Sequence, residues 1–417
     1  MRTTTEQLPG LTLTNITLDA PLDNADPSAG TIEVFARVVT AEGGEALPYL
    51  VFLQGGPGHE AGRPTPTNPP WLARALQDFR VVLLDQRGTG RSTPVSSPMT
   101  APLAGLGAAE QATYLTHFRA DEIVNDCELF REFLCVRQWT VLGQSFGGFT
   151  TLHYLSTHAE SLAGAIITGG LSAVRRPVDD VYAATWQIMI GKSETYYRHF
   201  PGDRARVRQL SELCARGEVI LPNGDVVSPA RFRTIGSNLG VQGGPELLHY
   251  LLELDHRSAG FTNDLAHALP FVGRNPLYAV LHESSYADGV ATRWSAERTM
   301  PDRVRDDVTL LGGEHLHRSV FAEDSELKPF AGTADLLADH EWNQLYFPER
   351  LAQADLPVAA SVYYADAFVP REFSMETAAL LPDCRPWVTS EYEHNGLRAD
   401  TAVLDHLIGL LKGRRWL

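Results

Sequence analysis

The stretch Gly143-Gln144-Ser145-Phe146-Gly147-Gly148 has the spacing G-x-S-x-G, which in the right setting turns a serine into a nucleophile. It follows a short apolar run, Trp139–Leu142, and precedes a helical pattern over Phe149–Ser156. A strand that breaks into a helix at this spacing lifts the Ser145 hydroxyl past the carboxyl end of a sheet. It also sets the first N–H groups of the helix, and their positive dipole end, beside that hydroxyl. A side chain at 143 or 147 would collide with the neighbouring strand or helix, so glycine is required there. The bland alternative is a structural glycine-rich turn, since chance matches are common in a chain with 35 glycines. A second loop, Gln54-Gly55-Gly56-Pro57-Gly58, follows the strand-like Leu47–Leu53. Two adjacent glycines let backbone N–H groups face a ligand closely, and Gly56 and Phe146 are the candidate donors to an oxyanion. An ordinary tight turn is the competing reading.

A serine nucleophile needs a base, and the base needs an orienting acid. Position has to choose among 14 histidines. Functional groups of an open α/β sheet gather at the carboxyl ends of its strands. Asp366 closes the strand-like Pro357–Ala365, and His394 closes Arg385–Tyr392. The order Ser145, Asp366, His394 is the order of an α/β-hydrolase triad. Glu314-His315-Leu316-His317 offers metal-binding residue types, but no H-E-x-x-H is present and no metal or other cofactor is expected. Asp85-Gln86-Arg87-Gly88-Thr89-Gly90-Arg91-Ser92 lacks both Gly-Lys-Ser/Thr and G-x-G-x-x-G, and reads as a structural turn with Asp85 and Arg87 paired internally.

These residues require a sheet to hold them. Leu11–Leu18, Thr31–Thr40, Leu47–Leu53, Arg80–Leu84, Trp139–Leu142 and Leu162–Thr168 predict strands, and 118–135 has helical spacing. Helical segments dominate from about Ser172 to Leu337, strands return at Pro357–Ala365 and Arg385–Tyr392, and an amphipathic helix over Thr401–Lys412 follows. The expected architecture is α/β with a largely parallel sheet: a core over 1–171, a helical insertion over 172–337, and the second part of the core over 338–417. The 417 residues, 44% hydrophobic and 21% charged, are those of a globular chain able to bury a large core. A net charge of −16 excludes a polyanion as partner, so no nucleic acid is expected. No signal peptide and no run of membrane-spanning length is read. Cys127, Cys135, Cys214 and Cys384 show no C-x-x-C spacing and read as free thiols, making the cytoplasm the default compartment.

Over nearly its whole length the chain resembles the prolyl aminopeptidases (proline iminopeptidases). The resemblance rests on Gly55-Gly56-Pro57-Gly58, on Asp85 through Ser92, on Phe118-Arg119-Ala120-Asp121-Glu122-Ile123-Val124 and on Gly143 through Gly148. In the tail it rests on Tyr363-Tyr364-Ala365-Asp366 through Val369-Pro370 and on Glu393-His394-Asn395-Gly396-Leu397-Arg398. One departure is Gln54, where the family usually has a histidine. The resemblance implies an α/β-hydrolase fold with a helical cap, and a serine exopeptidase acting on short peptides with a free N-terminal proline. It implies cap carboxylates that bind the substrate α-ammonium, with Glu283 the first candidate and Glu314 the second. Phe146, Tyr286 and Phe321 are candidate walls for the proline ring. An esterase or broader aminopeptidase of the same fold, an epoxide hydrolase or dehalogenase, and a non-catalytic binding protein are the alternatives. Ser145 in the nucleophile position weighs against the second, and the full constellation against the third. The oligomeric state is left open.

Overall fold

The computed structural model describes residues 1–97 and 99–415. Nine strands form one sheet in the order β1-β2-β3-β5-β4-β6-β7-β8-β9. They are β1 (Arg2–Leu8), β2 (Leu11–Pro21), β3 (Thr31–Ala41), β4 (Tyr49–Leu53), β5 (Arg80–Asp85), β6 (Trp139–Gln144), β7 (Leu162–Thr168), β8 (Val358–Tyr363) and β9 (Cys384–Thr389). The strands from β5 to β9 pair in parallel. The first three form an antiparallel meander whose last strand lies antiparallel to β5. The sheet is therefore mixed but mostly parallel.

Alternation along the strands divides the core. Val51, Leu53, Val82, Leu84, Val141 and Ile167 face the helices Ala120–Phe133 and Phe146–Thr157. Leu50, Phe52, Val81, Leu83, Leu142 and Ile166 face Pro70–Ala75 and Thr401–Leu411. Covering both faces is what lets the inner parallel strands β4 to β8 be buried almost throughout, while the edge strand β9 is only partly buried. The N-terminal strand β1 was not expected from the sequence. Its residues Arg2-Thr3-Thr4-Thr5-Glu6-Gln7 are exposed and it holds the sheet edge through β2 alone.

Between β7 and β8 the chain is helical among the described residues, with one isolated bridge joining Ile220 and Val226. The 337/338 limit read from the sequence falls inside the helix Ala331–Asp339. No helix among the described residues is long and apolar enough to cross a membrane. The four cysteines are free.

The Asp85–Ser92 turn is a brace. Asp85, wholly buried, accepts two hydrogen bonds from Arg63 (3.0 and 2.9 Å). Arg87, equally buried, donates to Asp126 of the helix Ala120–Phe133 (2.9 and 2.7 Å). Each charge finds an internal partner, though not the other. Gln86 Nε2 then donates to the Gln54 carbonyl at 2.9 Å, which fixes the glycine loop after β4.

Candidate active site

Strands β4 and β6 are neighbours, so the loops that leave their carboxyl ends lie side by side. At the end of β6 the backbone of Ser145 takes φ 53°, ψ −123°, a left-handed conformation that costs energy in a non-glycine residue and is characteristic of functional turns. Close packing holds it there. A Cβ on Gly147 would lie 1.9 Å from the Leu53 carbonyl oxygen, and one on Gly143 would lie 2.3 Å from the Gly147 carbonyl oxygen.

His394 Nε2 stands 2.9 Å from Ser145 Oγ, and His394 Nδ1 is 2.8 and 3.0 Å from the two carboxylate oxygens of Asp366. Nδ1 donates to that carboxylate, which leaves Nε2 as an acceptor for the serine hydroxyl. Asp366 is itself held by N–H donors from Phe368 (2.9 Å) and Val369 (3.0 Å). Burial disfavours an imidazolium at His394. The Asp366 charge and hydrogen bond oppose that, with Glu314 adding to them, and the net effect raises the pKa above 6.5. The backbone N–H of His394 donates to the Gly240 carbonyl (3.1 Å), so the segment between β7 and β8 holds the His394 backbone directly.

Beside Ser145 lies a cavity of about 250 Å³. Gly55 and Gly56 line it, the latter at φ 143°, and the N–H groups of Gly56 and Phe146 go to no backbone carbonyl among the described residues. The cavity also holds an imidazole, His59, which burial keeps neutral by pushing its pKa down to about 4.

The two candidate glutamates are placed differently. Glu314 faces the cavity, with its side chain 19% exposed. It accepts a hydrogen bond from Tyr278, and no Lys or Arg pairs with it among the described residues. His282 Nε2 is 3.9 Å away but is no counter-ion, because burial drives its pKa down to about 3. The Glu314 loop is fixed by His315, which accepts from the Gly313 N–H, bonds Thr185 and stacks on Trp186. Burial raises the pKa of Glu314, partly offset by His394 and Tyr278.

Glu283 does not reach the cavity. Its carboxylate accepts from the N–H groups of Ser295 (3.0 Å) and Ala296 (2.8 Å), at the start of the helix Ser295–Arg298. Phe321 is buried against Trp294 in a separate apolar cluster, and Tyr286 packs on Phe149 and Tyr182 behind the cavity wall. The aromatic rings that do line the cavity are Tyr278 and Phe368, neither singled out from the sequence. Phe368 was findable: it lies two residues past Asp366, and its ring meets His394 edge-on at 4.9 Å.

A poised serine, an imidazole within reach of it, and a carboxylate behind the imidazole form a group able to carry out acyl transfer. Residues 48–216 match the family described as alpha/beta hydrolase fold. Over 410 residues the chain is 41% identical to a proline iminopeptidase of Aeromonas sobria, covering 94% of both proteins. It is also 30% identical over 420 residues to a proline iminopeptidase of Aspergillus aculeatus, covering 95% of this chain and 93% of that one. The chain belongs to the proline iminopeptidase family.

Proposed function

We propose that this protein is a serine aminopeptidase that releases N-terminal proline from short peptides, with Ser145 as nucleophile, His394 as general base and acid, and Asp366 as orienting acid. The observation that carries the proposal is the Ser145–His394–Asp366 hydrogen-bond chain, opening onto a cavity that holds an unpaired carboxylate. Relatives named proline iminopeptidases match along almost the whole chain and support the choice of substrate.

His394 Nε2 takes the Ser145 proton as Oγ attacks the prolyl carbonyl carbon. The N–H groups of Gly56 and Phe146 hold the resulting oxyanion, each worth about 2.7–4 kcal/mol of barrier. The C–N bond breaks as His394 returns the proton to the leaving amine, and water then attacks the prolyl ester with the same base. Glu314 receives the α-ammonium of the bound proline, and a blocked N-terminus would leave that carboxylate unpaired. Tyr278 and Phe368 supply the apolar walls. The inserted helices, over roughly 172–337, act as a cap that limits access to short chains. No cofactor takes part in this scheme.

The test is release of naphthylamine from Pro-β-naphthylamide with Ser145→Ala as its partner. The expected loss in kcat is at least about 10⁴-fold. Unchanged turnover in the variant, or failure of a fluorophosphonate to label Ser145, would overturn the assignment.

A further inference from the structure

Arg398 lines the same cavity as Ser145 and Glu314, in the short helix Gly396–Ala399 that follows His394. Its side chain is exposed to solvent, yet it sits in a concavity whose surrounding protein lowers its pKa by desolvation. Its one side-chain hydrogen-bond partner among the described residues is neutral: Nη2 donates to Gln144 Oε1 at 3.1 Å. No carboxylate pairs with it among the described residues. The other arginines near this opening are committed, Arg63 to Asp85 and Arg274 to Glu60. A guanidinium has five donors in a planar fork suited to a carboxylate, and among the described residues only Nη2 of this one finds an acceptor.

The cavity therefore carries one carboxylate, Glu314, and one unpaired permanent cation, Arg398. Both act electrostatically on His394, Glu314 raising its pKa and Arg398 lowering it, so both lie within reach of the reacting centre. A compact space of about 250 Å³ is roughly 8 Å across, and two residues of extended chain span roughly 7 Å. The opposed charges match the two ends of a zwitterionic dipeptide. Arg398 bonds Gln144, the residue before the nucleophile, and it belongs to the His394 segment that hands the proton to the leaving amine. A cation held there fits the leaving-group side of the scissile bond.

We propose that Arg398 is a carboxylate subsite that selects substrates whose C-terminus lies one residue beyond the released proline. Its preferred substrate class is the free Pro-Xaa dipeptide, read at both ends by Glu314 and Arg398. This rests on the aminopeptidase reading above and narrows its substrate.

The test compares kcat/KM for Pro-Gly with that for its C-terminal amide, Pro-Gly-NH₂, within each enzyme, so that any loss of folded protein cancels in the ratio. The wild type is expected to favour the free acid by about tenfold, as one charge-assisted contact at an open site allows. In Arg398→Gln the ratio falls to about one, and Arg398→Lys restores part of it through KM. Equal rates on acid and amide in the wild type would overturn the subsite while leaving the aminopeptidase intact. So would a ratio unchanged in Arg398→Gln, which would reduce Arg398 to a prop for Gln144. No proline release from either substrate would instead fail the aminopeptidase reading, and the subsite with it.

Discussion

The sheet wall of the cavity and the wall supplied by the inserted helices position their groups by different physics. On the sheet side, backbone does the work. Ser145 and the Gly55-Gly56 loop are set by neighbouring parallel strands, and the turn survives because Gly143 and Gly147 lack side chains. On the helical side, side chains hold one another: Tyr278 bonds Glu314, and His315 is clamped by Gly313, Thr185 and Trp186. The first arrangement tolerates almost no change in shape. The second can be altered one residue at a time, and specificity can shift there without disturbing the chemistry.

The most severe break is Gly147→Ala. The added carbon would meet the Leu53 carbonyl oxygen at 1.9 Å, and neither backbone can yield without moving β4 or the nucleophile turn. A loss of about 3 kcal/mol or more is expected, as for a badly overpacked core, read by thermal unfolding together with loss of Ser145 labelling. A well-folded, active Gly147→Ala protein would contradict the account of the sheet wall.

Acidity tests both walls together. In the proposed mechanism His394 must be neutral to accept the serine proton; burial lowers its pKa, and the Asp366 charge and hydrogen bond, with Glu314, outweigh burial and raise it. In the same proposal Glu314 must be ionised to hold the ammonium, and burial raises its pKa as well. Both effects push the acid limb the same way. A plot of log kcat/KM against pH is expected to bend above pH 6.5, falling about tenfold per unit below the bend and more steeply once both groups are protonated. A bend below 6.5 would mean that Asp366 and Glu314 do not act on the base as the geometry requires.

The smallest effect lies on the helical side. Gly191 sits inside the helix Val178–His199, and a Cβ there meets nothing within 4 Å. Gly191→Ala should stabilise the protein by about 0.5–1 kcal/mol through reduced backbone entropy in the unfolded chain, with Pro-β-naphthylamide turnover retained. Set beside Gly147→Ala, it shows that what a glycine is worth depends on what surrounds it.

Legibility in the sequence follows the same division. The α/β class and the strands β4 and β6 that carry the glycine loop and Ser145 could be read because those strands are short, buried and end at glycine-rich turns. Asp366 and His394 followed from chain order and strand ends, although β9 stops at Thr389, short of the expected Tyr392. β1 was invisible because an edge strand paired on one side can be polar on both faces, as Arg2-Thr3-Thr4-Thr5-Glu6-Gln7 is. The sequence reading puts Glu283 ahead of Glu314, yet it is Glu314 that lines the cavity, because tertiary packing decides what a glutamate faces. Glu283 is consumed by the amides of Ser295 and Ala296, twelve and thirteen residues away. Tyr278 carries no local mark that separates it from any core tyrosine.

The measurement that bears most directly on the central claim is the ratio of kcat/KM for Pro-β-naphthylamide to that for its N-acetyl form, in wild type, Glu314→Gln and Glu283→Gln. A cavity whose carboxylate receives the α-ammonium predicts a large ratio in the wild type and a drop on the order of 100-fold in Glu314→Gln activity toward the free amine, as when one partner of a desolvated charge pair is removed. In Glu283→Gln the ratio stays and thermal stability falls, since a buried helix start loses an acceptor. Equal cleavage of free and acetylated substrates by the wild type, or a ratio that collapses in Glu283→Gln and survives in Glu314→Gln, would contradict it.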